Sequence, residues 1–262
     1  MSIRNNFVYN ALKKIYYKYI AYFKYSPVWK KNYVTIKYKG YNLKFPLNKD
    51  KIINEKVFVP KYFVPGLKEM DLEIKSYLSN INLSNGNGYI VDCGGYPGNF
   101  TIYLSKLFKN VKILCFEPDP HNFSYMKKVI KINKCKNVTL INKAVYSSLG
   151  KVRFNSSEYT SKICDEGEIE ILATTLDYEL KKLKIDFKDV LFVKMDIEGA
   201  EIEALKGAKK LLKYGFATWA IASYHIVNNK KTYPEIIKIL KKFKYKTKIN
   251  CPEQHLVVIG KK

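Results

Sequence analysis

Two stretches of the chain combine residue types and spacings that do chemistry. In DCGGYPGNFT, Asp92 to Thr101, an acidic residue is followed by Gly94, Gly95 and Gly98, and Phe100 and Thr101 open a helical pattern. Glycine adopts positive φ without steric cost and lets a backbone approach a ligand closely, so this turn is suited to holding a flat group against the main chain. The helix N-terminus behind it favours an anionic group. Glu117, in CFEPD, follows about one βα unit later, where a carboxylate accepts hydrogen bonds from both ribose hydroxyls. Alone, the glycines are a tight connection and Glu117 a solvated turn residue before Pro118; together they point to nucleoside binding. A GxGxxG dinucleotide fingerprint is not matched, since Tyr96 and Pro97 precede Gly98, and no GxxxxGK[ST] phosphate loop is present.

The second stretch is LFVKMDIEGAEIEALKGAKKLL, Leu191 to Leu212, in which an apolar strand delivers Asp196 and Glu198 to its carboxyl end. Carboxylates there either take a proton from an acceptor hydroxyl or hold a divalent cation that lowers its pKa. Asp196 and Glu198 are therefore candidates for catalysis and for metal binding. A carboxylate ending an apolar strand otherwise needs a buried partner. Glu201, at the start of the next helix, has a plainer role as an acid placed against the helix dipole. His225 ends the following apolar run, ATWAIASYH, and is a candidate base on the same rim, with a satisfied structural histidine as the alternative. His121 caps or packs the helix after Glu117, and His255 suggests no role.

The elements that must position these residues alternate as strand and helix. Apolar runs predict strands at Tyr89–Cys93, Lys112–Phe116, Val138–Asn142, Val190–Met195, Thr218–Ala222 and Leu256–Ile259. Amphipathic patterns predict helices at Phe100–Phe108, Asn122–Asn133, Ile202–Lys213 and Pro234–Phe243, with Gly215 ending one helix and Pro234 starting another. This is the signature of a parallel α/β sheet. In front of it, residues Asn5 to Tyr25 predict an amphipathic helix stopped by Pro27, and Tyr33 to Leu47 alternate around Gly40 as a hairpin. A loop with Pro60 and Pro65 leads to a helix around Lys68–Leu78. The expected organisation is a helical and β-hairpin cap over residues 1–80 and a main domain over 81–262.

DCGGYPGNFTIYLSK, CFEPDPHNF, TTLDYELKKL and VKMDIEGAEIEALKGA together resemble the FkbM family of class I methyltransferases. The resemblance covers approximately Tyr89 to Leu212, extends more weakly through His225, and is most specific at KMDIEGAE. It implies a Rossmann-like α/β methyltransferase sheet of seven strands with helices on both faces. It also implies S-adenosylmethionine as methyl donor and an oxygen acceptor on a sugar, glycan or other small metabolite. Asp92, Gly94 and Gly98 would contact the methionine portion, with Gly95 and Asn99 in the same turn; Glu117 would hold the ribose, and Asn142 to Ala144 would lie near adenine. The chain departs from the family pattern at Gly95, where alanine is usual, and at Pro97, which stiffens the turn.

Composition bounds the alternatives. At 262 residues, with 47% hydrophobic and 15% aromatic residues, the chain carries a sizeable core and is not a disordered polymer. The formal charge of +24 raises nucleic acid or an anionic membrane as a partner. Of the 47 basic residues, however, only Arg4 and Arg153 are arginine, the side chain best suited to bidentate phosphate and base recognition. A ribose-methylating RNA enzyme is thus a rival reading, as is a non-catalytic nucleoside-binding protein docking through its basic helix; residues 1–30 are the candidate membrane contact. No NPPY-like or DPPY-like motif of exocyclic-amine methylation occurs. Five widely spaced cysteines without a CxxC pattern argue for a reducing compartment. Tyr214 to Asn229, as long as any run without a formal charge, is shorter than the ~20 residues a spanning helix needs. These features lead to the expectation of a cytoplasmic protein, with membrane contact limited to the periphery.

Overall fold

The structure is a computed structural model that describes residues 26–30, 33–46, 63–78, 86–155, 162–163 and 167–262. The chain divides into two units, Met1–Asp71 and Leu72–Lys262. The helix expected from Asn5 to Tyr25 lies outside the described residues.

In the first unit, β1 (Val28–Trp29), β2 (Tyr33–Tyr38) and β3 (Tyr41–Pro46) form an antiparallel sheet in that order. The expected hairpin is present: Tyr33 pairs with Pro46 and Tyr38 with Tyr41 around a Lys39–Gly40 turn. Both turn residues have positive φ, the geometry whose twist matches that of the flanking strands. Val34, Ile36 and Tyr38 are buried and Lys37 is exposed, as the period of two requires. Helix α1 (Phe63–Leu78) begins in this unit, five residues earlier than its apolar pattern predicts. Pro65 does not prevent this, because a first-turn residue has no intrahelical acceptor for an N–H. Tyr38 Oη donates to Asp71 Oδ1 on this helix at 2.7 Å.

The second unit alternates β4 (Gly88–Cys93), α2 (Asn99–Leu107), β5 (Val111–Phe116), α3 (Pro120–Asn133) and β6 (Val138–Ile141). Four strands that no apolar run announced follow: β7 (Ala144–Val145), β8 (Gly150–Asn155), β9 (Lys162–Ile163) and β10 (Ile169–Thr174). They form a separate sheet in the order β7-β10-β8-β9 around Ala144, Phe154 and Ile171. The chain continues through α4 (Leu176–Lys182), β11 (Val190–Met195), α5 (Glu201–Lys206), α6 (Lys209–Tyr214) and β12 (Thr218–Ala222). A small hairpin, β13 (Ile226–Val227) and β14 (Lys230–Lys231), precedes α7 (Tyr233–Lys242), β15 (Lys246–Asn250) and β16 (Val257–Lys261).

The main sheet has seven strands in the order β15-β16-β12-β11-β4-β5-β6. Ile90–Cys93, Ile113–Phe116, Phe192–Met195 and Trp219–Ala222 are buried throughout, which is why these strands read as continuous apolar runs. From β4 the chain steps outward through β5 to β6 and returns as β11 on the other side of β4. This reversal opens a crevice beyond the carboxyl ends of β4 and β11. One edge departs from the expected parallel arrangement: β16 runs antiparallel to both β12 and β15. The link from Asn250 to Val257 is too short for the crossover of a dozen or more residues that a parallel partner needs.

The single helix expected over Ile202–Lys213 is two helices, α5 and α6, broken at Gly207 and Ala208. A Cβ on Gly207 would lie 2.1 Å from the Tyr146 carbonyl oxygen, so the break lets the backbone just after β7 pass close by. Asp177 then caps the restart, its carboxylate accepting from the N–H groups of Lys210 and Leu211 at 2.8 and 2.9 Å. Gly215 ends α6 and Pro234 sits in the first turn of α7, as expected. Of the cysteines described, Cys93, Cys115, Cys135 and Cys251 are free. Among the described residues no helix is long and apolar enough to cross a membrane.

Candidate active site

The glycine turn follows β4 at the point of reversal. Gly94 and Gly95 donate their N–H groups to the Phe116 carbonyl at 3.0 and 3.1 Å, and the Asp196 N–H donates to the Cys93 carbonyl at 3.0 Å. Strand ends β4, β5 and β11 are thereby tied together. Gly94 has φ +83, and a Cβ there would stand 1.8 Å from the Asp196 carbonyl oxygen. Gly94→Ala is therefore expected to spring the turn open, lowering the melting temperature and removing nucleoside binding; a scan of thermal unfolding with and without ligand checks both. Gly95, where the family pattern has alanine, is explained by Cys115: a Cβ would lie 2.2 Å from its Sγ. The Tyr96–Pro97 peptide is cis, and Gly98, at φ +95, opens α2.

Asp92 is fully buried, with Oδ2 accepting from Thr101 Oγ1. Its other oxygen faces the Nζ of Lys194 at 3.5 Å. Lys194, also buried, donates to the Gly94 carbonyl at 2.7 Å and lies 3.8 Å from Glu73 Oε1. Burial pushes the Asp92 carboxyl above its usual range and the Lys194 ammonium opposes that shift. Burial works against the charge on Lys194, but Asp92, Glu73 and Asp196 overcome it and hold the ammonium protonated. Asn99 Nδ2 donates to Glu73 Oε2 at 3.0 Å. The charged base of the turn is thus Asp92, Lys194 and Glu73, and only Asp92 stood out in the sequence. Lys194 is legible in hindsight as the one charge inside the apolar run VLFVKM.

Glu117 directly follows β5 and is buried. Its Oε2 accepts the Tyr96 N–H at 3.2 Å and its Oε1 the Asp119 N–H at 3.1 Å. Burial raises its pKa to about 7, and the two backbone donors only partly offset that. Asn142 donates through Nδ2 to the carbonyls of Glu117 and Pro118, both at 2.9 Å, and so holds the acidic turn in place. Ala144 pairs with Ala173 in the small sheet, with its side chain in that sheet's core. His121 does not cap α3: the side chain of Asp119 does, accepting from the N–H groups of His121 and Asn122 at 2.8 and 3.1 Å. His121 itself is exposed.

The second cluster lies at the ends of β11 and β12. Asp196 Oδ2 accepts from Tyr77 Oη at 2.9 Å, and Tyr224 Oη lies 3.2 and 3.3 Å from its two oxygens, so the carboxylate has one buried partner, Tyr77, and one exposed partner, Tyr224. His225 Nε2 is 3.8 Å from Asp196 Oδ1 and 3.6 Å from Glu198 Oε2, and Nδ1 is 3.1 Å from Glu201 Oε1. The structure thus gathers Asp196, Glu198 and His225. Glu201 does more than oppose a helix dipole: it is fully buried, and its Oε1 accepts from the N–H groups of Ile197 and Gly199 at 3.0 and 3.3 Å. Burial lowers the His225 pKa, but Glu198, Glu201 and Asp196 outweigh it and raise the value to about 10. Burial, then Asp196, pushes both Tyr77 and Tyr224 up, so they remain neutral donors. His255 belongs to this region as well, with Nδ1 2.9 Å from Ser76 Oγ and its ring 4.8 Å from that of Tyr224. No local pattern marks Tyr77 or His255, because the partners that place them are distant in sequence.

Residues 92–247, from the acid that opens the glycine turn to a point beyond His225, match the methyltransferase FkbM domain. The chain belongs to the FkbM family of class I S-adenosylmethionine-dependent methyltransferases. Methyltransferase sdnD of Sordaria araneosa is 27% identical over 156 residues, covering 46% of this chain and 60% of the relative. Methyltransferase 1 of Beauveria bassiana is 27% identical over 150 residues, covering 46% and 58%. The chain therefore spans about three fifths of the length of these curated relatives. The methyltransferase FkbM of Methylobacillus flagellatus shares the fold, with a TM-score of 0.55 and 19% identity over 70% of this chain and 45% of that one. The family's Rossmann-like sheet is the one described above.

Proposed function

We propose that the protein transfers a methyl group from S-adenosylmethionine to a hydroxyl of a sugar, glycan or other small metabolite. The observation that carries this reading is the meeting of the two clusters at one sheet edge. The glycine turn closes directly over the Asp196 backbone, and the Asp196 side chain opens the group formed with Glu198 and His225.

The residues fit the donor by their chemistry. Each Glu117 oxygen accepts one backbone N–H and keeps a further lone pair, which two ribose hydroxyls can fill. Asn142 fixes the turn that presents it. Gly94, Gly95, Gly98 and Asn99 form the wall for the methionine portion; Asp92, which has no exposed surface, and Lys194 hold that wall from beneath, Lys194 through the Gly94 carbonyl. When bound, S-adenosylmethionine supplies an electrophilic methyl on a sulfonium. The acceptor hydroxyl gains the methyl on oxygen, the carbon–sulfur electron pair stays with sulfur, and the hydroxyl proton passes to a carboxylate of the Asp196–Glu198 pair, beside a His225 whose pKa of about 10 keeps it protonated at neutral pH. Tyr77 and Tyr224 hold Asp196 in position for that proton, and alignment of the reactants supplies much of the rate.

Glu117 gives this reading a pH signature. Ribose hydroxyls donate, so they favour the ionised carboxylate, and S-adenosylmethionine affinity is expected to rise from pH 6 to pH 8 through the Glu117 pKa of about 7. For the fold alone the sign is opposite. A carboxyl raised from 4.5 to about 7 stabilises the folded state below the lower value and loses that contribution as pH rises through the upper one. Glu117→Gln is expected to weaken binding by about 10- to 100-fold and flatten the profile. Calorimetry with S-adenosylmethionine and S-adenosylhomocysteine across this range tests the donor site, and absence of binding by either overturns it. Transfer of labelled methyl to a panel of sugars and glycans tests the acceptor class.

A further inference from the structure

The group that receives the acceptor proton has a second feature that proton transfer alone does not require. We propose that Asp196, Glu198 and His225 bind a divalent cation, one of the transition series such as Mn2+ in preference to Mg2+, with Glu201 orienting the imidazole. The cation's task, lowering the pKa of the acceptor hydroxyl, rests on the methyl-transfer reading; the site itself rests on the geometry of these four residues.

Both ring nitrogens of His225 are buried and have no hydrogen-bond partner among the described residues, Nδ1 being in ion-pair contact with Glu201 alone. Nε2 points between Asp196 Oδ1 at 3.8 Å and Glu198 Oε2 at 3.6 Å. Those separations are too long for hydrogen bonds. They are close to the ~3.4 Å between neighbouring ligands around a tetrahedrally bound ion with bonds of about 2.1 Å. One ligand atom from each residue lies within 4.8 Å of the others, so small side-chain rotations close the set.

The other ring nitrogen supplies the second argument. Nδ1 lies 3.1 Å from Glu201 Oε1, and Glu201 is fully buried and pinned by two backbone N–H groups. A carboxylate facing one imidazole nitrogen keeps the proton there when an ion displaces the proton on the other, the arrangement found behind most metal-binding histidines. Asp196 is likewise held from behind by the hydroxyls of Tyr77 and Tyr224. Glu198 adopts φ 55, a left-handed conformation costly for a residue with a Cβ, and Gly199 follows at φ 98. In that conformation the Glu198 carboxylate lies 3.6 Å from His225 Nε2. Three carboxylates surround one imidazole, leaving a charge that a divalent ion neutralises. One nitrogen and two carboxylate oxygens suit Mn2+, Fe2+ or Zn2+ better than Mg2+.

The test is a titration of MnCl2 into the full chain after EDTA treatment and dialysis, followed by the loss of the free-ion electron paramagnetic resonance signal and by calorimetry. Saturable binding of one Mn2+ per chain is expected, displaced by Zn2+ and at least about tenfold tighter than Mg2+. His225→Ala and Glu198→Gln should each weaken it by more than about 100-fold, and Glu201→Gln by about 10- to 100-fold. His121→Ala, on the exposed start of α3, should leave it unchanged. S-adenosylmethionine affinity serves as the check that each variant is folded. No uptake at millimolar Mn2+, or equal uptake by wild type and the His225 and Glu198 variants, overturns the site. Methyl transfer at full rate in EDTA, with no Mn2+ bound, removes the cation and leaves the transferase reading intact. Mn2+ uptake without binding of S-adenosylmethionine or its product does the reverse.

Discussion

Asp196→Asn is expected to slow methyl transfer by about 100- to 10,000-fold while leaving S-adenosylmethionine affinity nearly unchanged. The separation follows from which atoms of this residue face which cluster. Its backbone N–H and carbonyl belong to the turn, bonding Cys93 and closing over Gly94, and an asparagine keeps both. Its carboxylate belongs to the other cluster, beside His225 and under the hydroxyls of Tyr77 and Tyr224. An amide cannot take up a proton, and its NH2 group cannot accept from a tyrosine. Initial rates with labelled donor, set beside calorimetric titration of the same preparation, check both halves. A variant that turns over at the wild-type rate removes Asp196 from the chemistry, and one that fails to bind the donor shows that its role is structural.

Lys194→Met is expected to cost about 3–5 kcal/mol of stability and to lower the melting temperature by roughly 10 °C. Methionine fills much the same volume, so the loss is electrostatic. Asp92, with no exposed surface, is left without its cation, and Glu73 with one fewer; the Gly94 carbonyl loses its donor at 2.7 Å. Burial already raises the Asp92 pKa against the pull of Lys194, and removing the ammonium raises it further. A carboxyl raised in this way favours the folded state at low pH and ceases to do so as pH rises through its folded value. The deficit relative to wild type should therefore be largest near pH 8 and shrink toward pH 5. Urea melts at both values measure it, and adding Asp92→Asn should recover part of the loss. A deficit that does not change with pH would place the cost in packing.

Much of the sheet could be read along the chain because its strands are covered on both faces. Val190–Met195 and Thr218–Ala222 occur where the apolar runs place them, since an apolar run of that length has no other way to be buried in this alternation. The glycine turn and Asp196 were legible for a related reason: glycines and acids at a strand's carboxyl end do not pack a core, so they stand out against it. The strands of the small sheet between Ala144 and Thr174 were not legible. Their exposed and buried residues mix over short lengths, and their pairing joins segments that no local period links.

Local sequence was sufficient for whatever depends on one segment's own periodicity or backbone freedom. That includes the alternation of strands and helices, the hairpin at Gly40, the turn after Asp92, and the acids at the end of β11. Folding alone settled whatever depends on the approach of a distant partner. Tyr146 breaks the helix at Gly207, Cys115 accounts for glycine at position 95, and Asn250 and Val257 are joined by a link that forces the last strand antiparallel. Lys194 is the sharpest case. In sequence it is one more lysine in a chain rich in them; in the fold it lies beneath the glycine turn, because a buried ammonium must be surrounded by acids and carbonyls, and Asp92 and Gly94 from the end of β4 and Glu73 from α1 come together to surround it.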